Sequence, residues 1–188
     1  MKVVLASRSP RRKEILLRII DKFDIITSDA DERLDEGIHP KKGVEILAIR
    51  KGEAVVPRLD SEALVISSDT LVEMDGIPLG KPVDEDDAVR ILLGLSGRTH
   101  RVHTGVAVHY HGKVFSGVDT AYVTFRSFGR SEALEYVKTG EPMDKAGAYA
   151  IQGIGRKFVE SYSGEFDAIV GLGLKLTKKL IEKATTNE

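Results

Sequence analysis

A four-residue apolar run that turns straight into a proline-started helix constrains this chain most. Val3-Val4-Leu5-Ala6 reads as a short buried strand and Ser7-Arg8 as the turn. Ser9 then serves as helix N-cap, with Pro10 at the first helical position, where its missing N–H costs nothing. Ile15, Leu16, Ile19 and Ile20 give the helix its apolar stripe. Arg11 and Arg12 break the pattern. They fall in the first turn, where the helix dipole favours acids, and each mismatch costs a few tenths of a kcal/mol up to about 1. Two guanidinium groups beside free N–H groups make sense if a phosphate sits there. The plainer alternative is a pair of solvated arginines on an exposed turn.

Composition narrows the class without choosing the function. At 188 residues, 41% hydrophobic and 30% charged, the chain can bury a proper core as one large domain or two small lobes. A net charge of −1 gives no bulk attraction to nucleic acid or to a membrane surface, so a polyanion site has to be local. With no cysteine, disulfides and thiolate metal sites are excluded. The opening apolar run is too short for a signal peptide and nothing approaches the roughly 20 apolar residues of a spanning helix, so the cytoplasm is the expected compartment.

Further along, Phe23 to Ile26 reads as a second strand, followed by an acidic loop from Ser28 to Glu36 that carries Glu32. Pro40 to Val56 is helical, with Val44, Leu47, Ala48 and Val55 on one face and Lys51 in the middle of that stripe. Such a lysine either snorkels to water or points into a cleft to meet an anion. Ala63 to Ile66 is a strand buried on both faces that runs into Ser67-Ser68-Asp69-Thr70. Asp75-Gly76 signals a hairpin facing Met74 with Ile77, and counting back sets Lys81 across from Thr70. For Lys81 to meet Asp69 that pairing must end, or bulge, at Gly80. Asp84 to Leu95 is a helix; Thr99 to His109 and Lys113 to Phe125 are long antiparallel strands. Ser131 to Lys138 is a helix opening at Ser131, Gly140 to Gly155 is glycine-rich, Arg156 to Tyr162 is a strand, and a helix from about Leu174 to Ala184 closes the chain.

Asp69 is the leading chemical candidate. A carboxylate at the end of a buried strand must be paired, hydrogen-bonded or metal-bound. It either caps a turn through its Ser and Thr neighbours or activates a water beside a phosphate. The histidines form no metal set, since His100 and His103 are three apart on a strand and point to opposite faces. A Gly-x-x-x-x-Gly-Lys-Ser/Thr phosphate loop and a nucleophile elbow are both missing. A strand–helix anion site, lysines at 51 and 81 and acids at 32 and 69 remain: parts suited to cleaving a polyphosphate.

Leu5-Ala-Ser-Arg-Ser-Pro-Arg-Arg, Ser68-Asp-Thr, Gly80-Lys-Pro, Ser96-Gly-Arg-Thr-His, Glu141-Pro-Met-Asp-Lys-Ala-Gly-Ala-Tyr-Ala-Ile-Gln-Gly and Val170-Gly-Leu, in this order and spacing, resemble the Maf nucleotide pyrophosphatases over essentially the whole chain. The resemblance implies a single α/β domain over residues 1–188: a mixed twisted sheet with flanking helices, in two lobes around a central cleft, related to the inosine-triphosphate pyrophosphatases. It implies a hydrolase that cleaves a nucleoside triphosphate to monophosphate and pyrophosphate with a divalent cation, Mg²⁺ or Mn²⁺, acting as a monomer or homodimer with no nucleic-acid or membrane partner. Asp69 matches the family's general base. Ser7, Arg11, Arg12, Lys51 and Lys81 match its phosphate-contacting positions, and Glu32 an acid near the metal, which Asp69 also helps to hold. Gln152 resembles the branch acting on dTTP and UTP, and Arg11 and Thr70 match other positions tied to that choice. A glutamine amide offers both a donor and an acceptor to the imide edge of uracil or thymine. Gly173 departs from the family, which usually carries proline after Gly-Leu. Two rivals stay open: a nucleotide-binding regulator of septum formation with incidental hydrolysis, and a purine house-cleaning enzyme of the related fold.

Overall fold

The computed structural model describes residues 1–186. β1 (Lys2–Leu5) runs parallel to β2 (Asp24–Ile25) on one side and to β3 (Ala63–Met74) on the other. Antiparallel pairing then carries the sheet onward from β3 to β5 (Thr99–Tyr110), to β6 (Lys113–Phe125) and to β7 (Val159–Ser163). β4 (Ile77–Leu79) folds back on β3. Two hairpins obey their turn residues. Asp75 and Gly76 take left-handed φ values of 54° and 81°, facing Met74 with Ile77. His111 and Gly112, at 46° and 71°, face Tyr110 with Lys113. Pairing of β4 stops at Leu79, so Lys81 lies beyond the ladder and is not bound to the face opposite Asp69.

Helices flank this mixed α/β sheet. Ser9 caps α1 (Pro10–Leu16), its hydroxyl accepting from the Arg12 amide at 3.4 Å, and Ile15 and Leu16 are buried. α2 (Pro40–Glu53) ends three residues before Val56 and lies close against β3 and β5. Two glycines permit that approach. A Cβ on Gly105 would stand 2.4 Å from the Val44 carbonyl oxygen, and one on Gly52 2.1 Å from the His109 ring. α3 (Glu85–Leu95) is capped by Asp84. α4 (Arg130–Val137) has Gly129 and not Ser131 at its N-cap, without a side-chain cap. Arg156 to Phe158 belong to a 3₁₀ turn, and strand geometry starts only at Val159. α5 (Phe166–Val170) was not expected from periodicity, and α6 (Leu174–Thr186) extends past Ala184. Among the described residues no helix is long and apolar enough to cross a membrane.

β3 links the two larger apolar clusters, and its Val65 joins a third, smaller one with Val4, Ala6 and Val55. Leu64 and Ile66 pack with Leu5, Leu16, Val108 and Leu180, whereas Val72 and Met74 pack with Leu92, Phe125, Tyr136 and Phe158. Ser67-Ser68-Asp69-Thr70 fills the gap, a polar tetrad in the middle of a buried strand. Burying it is tolerable because each hydroxyl is bonded: Ser67 to the Ala48 carbonyl (2.7 Å), Ser68 to the Gly171 carbonyl (2.8 Å) and Thr70 to the Thr104 hydroxyl (2.9 Å).

The histidines of β5 are structural. His100 Nε2 lies 2.8 Å from the Tyr149 hydroxyl, between Tyr149 and Phe125, while His103 bridges Glu73 and Thr120. Burial pushes the His100 imidazole down to about 4, and burial lowers His103 and His109 too. A histidine with a depressed folded pKa contributes stability that is complete above its unfolded value of roughly 6.5 and is lost as pH falls toward the folded value. Urea denaturation across a pH series is expected to show the unfolding free energy falling between pH 6.5 and 4, by up to roughly 3 kcal/mol from His100 alone. In His100→Gln that slope is expected to shrink by one proton.

Candidate active site

A cavity of about 1090 Å³ opens where the β1–α1 turn, the middle of β3, the end of β4 and the Asp144–Gln152 segment meet. Its wall includes Ser7, Arg11, Arg12, Glu32, Lys51, Asp69, Thr70, Lys81 and Gln152, so every residue singled out from the sequence faces the same space. Arg8 and Lys145 join them, giving six cationic side chains against the carboxylates of Glu32, Asp69 and Asp144. In a chain of net charge −1 this is a local positive field, suited to a compact polyanion.

Asp69 and Lys51 form the buried centre. The Lys51 ammonium, only 14% exposed, pairs with Asp69 Oδ1 and reaches Glu32 Oε1 at 2.9 Å. Of the two readings of a lysine within an apolar stripe, the inward one holds: Leu47 and Val44 pack on the sheet, and Lys51, one turn on, is carried over the polar tetrad. The two carboxylates differ in setting, with Asp69 10% exposed and Glu32 64%. The hydrogen bond from Lys51 holds the Glu32 carboxyl below the usual range, aided by the charges of Lys81 and Arg12.

Arg12 is fastened to the protein. Nε donates to the Gly171 carbonyl (2.9 Å), Nη1 to the Ser68 carbonyl (2.7 Å) and Nη2 to the Thr70 hydroxyl (3.3 Å). Burial lowers the guanidinium's pKa, opposed by the charges of Asp69 and Glu32. Nη1 also reaches Ser7 Oγ at 3.5 Å, so four of its five N–H donors are engaged, and the group joins α1, the β1–α1 turn, β3 and the loop after α5 with one N–H left over. The β1–α1 turn is correspondingly less open than an anion cradle: Ser7 Oγ takes the Ser9 amide (3.2 Å) and Ser9 Oγ the Arg12 amide. Arg11 makes no hydrogen bond or ion pair among the described residues, and its charge acts weakly on Tyr136 and Asp144.

Lys81 follows a backbone bridge, Gly147 N–H to the Gly80 carbonyl at 3.1 Å, that ties the end of β4 to the glycine-rich segment. Gln152 occupies the exposed tip of a four-residue turn closed by Gly153 N–H to the Ala150 carbonyl (3.2 Å), with Ile151 buried beside it. Lys145, carried with Glu141, Asp144 and Gln152 by the glycine-rich Gly140 to Gly155 stretch but given no site role from the sequence, lines the cavity, paired with Asp144. The carbonyl of Gly171, accepting from both Arg12 and Ser68, had as its only signal a place in the Val170-Gly-Leu run.

The oxygen donors suit a hard divalent cation. Glu32 and Asp69 already converge on one positive charge, the Lys51 ammonium. Among the described residues no three His, Cys, Asp or Glu side chains form a ready-made metal cage. Mg²⁺ is commonly held in this way, through one or two carboxylates, with substrate phosphates and water completing its shell.

The Maf-like protein family model matches residues 2–184. The chain is 44% identical over 187 residues to a dTTP/UTP pyrophosphatase of Clostridium beijerinckii, covering 97% of this chain and 99% of that one. It is 44% identical over 180 residues to a dTTP/UTP pyrophosphatase of Thermococcus kodakarensis, covering 96% and 95%. The solved structure of the Staphylococcus aureus Ham1 protein superposes with a TM-score of 0.52 at 15% identity, over 98% of this chain and 91% of that one. That likeness concerns the fold.

The two arginines of the first turn should separate in a stability measurement. Arg12→Lys cannot reproduce the three-way bonding and is expected to lower the unfolding free energy by about 2 kcal/mol. Arg11→Lys is expected to stay within about 0.5 kcal/mol of the unaltered chain. Denaturant melts of the two variants check this.

Proposed function

Because this chain belongs to the Maf-like family, we propose that it hydrolyses dTTP and UTP to the nucleoside monophosphate and pyrophosphate. One observation carries the reading: a buried carboxylate, Asp69, held by Lys51 inside a cavity rich in cationic side chains. The two apolar clusters joined through β3 support the reading of one domain with two lobes about that cavity.

The substrate's charge sets the binding mode. Arg11, Lys81 and the charge and remaining N–H of Arg12 neutralise the triphosphate, with Ser7 at the turn. Lys51 keeps Asp69 oriented toward the cavity. Asp69 takes the proton of the attacking water as its oxygen bonds to the α-phosphorus. The bond from α-phosphorus to the bridging oxygen breaks, and pyrophosphate leaves with that oxygen. Glu32 and Asp69 are the residues that would hold a divalent cation, whose chemistry when bound is to withdraw charge from the phosphate oxygens. Gln152, with Thr70 and Arg11, reads the base: its amide donates to one imide oxygen and accepts from the imide N–H.

Asp69→Asn is expected to lower kcat by about 10²–10⁴-fold while nucleotide binding is largely kept. Pyrophosphate release, followed as phosphate only when inorganic pyrophosphatase is added, checks this; turnover near the original rate would remove Asp69 from the base role. Chelation is expected to stop turnover and added Mg²⁺ or Mn²⁺ to restore it. Glu32→Gln should raise the cation concentration needed by roughly tenfold or more, measured by titrating the metal into stripped enzyme.

A further inference from the structure

Gln152 is exposed at the tip of its turn, yet the chain on both sides of that tip is bound to one pair of side chains, the buried Tyr136 and the half-buried Glu141. Tyr136, fully buried on α4, donates its hydroxyl proton to Glu141 Oε2 at 2.6 Å and accepts the Ala150 amide at 3.2 Å. Glu141 in turn accepts the Gly155 amide at Oε2 (2.9 Å) and the Ile154 amide at Oε1 (3.0 Å). Ala150 opens the turn and Gly153 closes it, so the pair grips the chain at Ala150, just before Ile151-Gln152, and at Ile154 and Gly155, just past the turn. The glycines are fitted to that grip. A Cβ on Gly153 would stand 2.0 Å from Glu141 Oε1, and one on Gly155 2.6 Å from the Tyr136 hydroxyl.

We propose that Glu141 is a positioning residue for base selection, its carboxylate and the Tyr136 hydroxyl together holding the turn that presents Gln152 to the nucleobase. The proposal rests on the reading of Gln152 as the base contact. Alternative fastenings for an exposed turn are cheap, since water can satisfy its amides. A carboxylate accepting three hydrogen bonds against glycine backbone instead limits where the Gln152 Cα can sit. Burial alone would push the Glu141 carboxyl up, but the bonds from Tyr136, Gly155 and Ile154 outweigh it and keep the group below the usual carboxylate range. It therefore stays an acceptor throughout the neutral region.

Glu141→Gln keeps the shape but turns one acceptor into a donor that faces an amide. Tyr136→Phe removes the link to Ala150. With folding verified by thermal melts, steady-state kinetics on UTP and GTP should show the UTP-over-GTP ratio of kcat/KM falling about tenfold in each variant, through KM for UTP, with kcat changed less than about threefold. Gln152→Ala should lose the same preference, and Glu141→Gln added to it should cost nothing further. If Gln152→Ala narrows the ratio and folded Glu141→Gln does not, Glu141 has no positioning role while the base reading stands. If Gln152→Ala leaves the ratio unchanged, the base reading itself fails and takes the proposal with it. Equal losses on both nucleotides, or failure of both Glu141→Gln and Tyr136→Phe to fold, would make the clamp merely structural and overturn the proposal.

Discussion

The ion pair between Asp69 and Lys51 is the constraint on which the rest of this structure depends. Removing both charges from water costs several kcal/mol per ion after relaxation, and a well-packed apolar pair at such a place is often the more stable choice. The sequence nevertheless places Ser67-Ser68-Asp69-Thr70 in the centre of a strand whose two halves feed separate apolar clusters. Offsetting that cost requires α2 to lie close enough for Lys51 to reach β3. Closeness is supplied by the bare backbone at Gly52 and Gly105, where a Cβ would meet His109 or the Val44 carbonyl. A helix–sheet contact therefore serves a charge placed some distance along the same helix.

Arg12 imposes the second constraint. Its guanidinium spans 159 residues of sequence to reach Gly171, and the same carbonyl also accepts from Ser68. α1, β3 and the loop after α5 are thereby locked to one planar group whose donor directions are fixed. A lysine, a point charge on a flexible stem, could neutralise a phosphate but could not hold three walls in register. The dipole mismatch in the first turn of α1 is thus explained by an internal partner set as much as by any anion.

Features set by neighbouring residues were legible in the sequence. The Ser9-Pro10 helix start, the Asp75-Gly76 and His111-Gly112 hairpins and the long alternating strands follow from local steric and pleat rules. What escaped has a common physical origin. α5 spans a single turn and a half, and residues 141–158 fold as three short 3₁₀ turns with irregular backbone between them, so neither offers a period to detect. Whether Lys51 turned to water or inward depended on Asp69, 18 residues away, and on two glycines of other elements. The residue types of the site could be read from motifs. The bonds that fix them, such as those of Glu141 and of the Gly171 carbonyl, are long-range and leave no pattern in a single chain.

Lys51 has two carboxylate partners that are held very differently, and this asymmetry has a direction. Glu32 belongs to an exposed loop, and an ion pair of that kind contributes about 1 kcal/mol or less. Breaking a buried pair such as Lys51–Asp69 leaves an uncompensated charge and costs about 3–5 kcal/mol. An anion competing for the ammonium therefore displaces Glu32 first and leaves Asp69 where it is. The released carboxylate stays within the field of Lys81 and Arg12, whose charges already act on it beside Lys51. Of the two acids, the buried one keeps a fixed orientation for proton transfer, and the exposed one can follow the charge that enters the cavity.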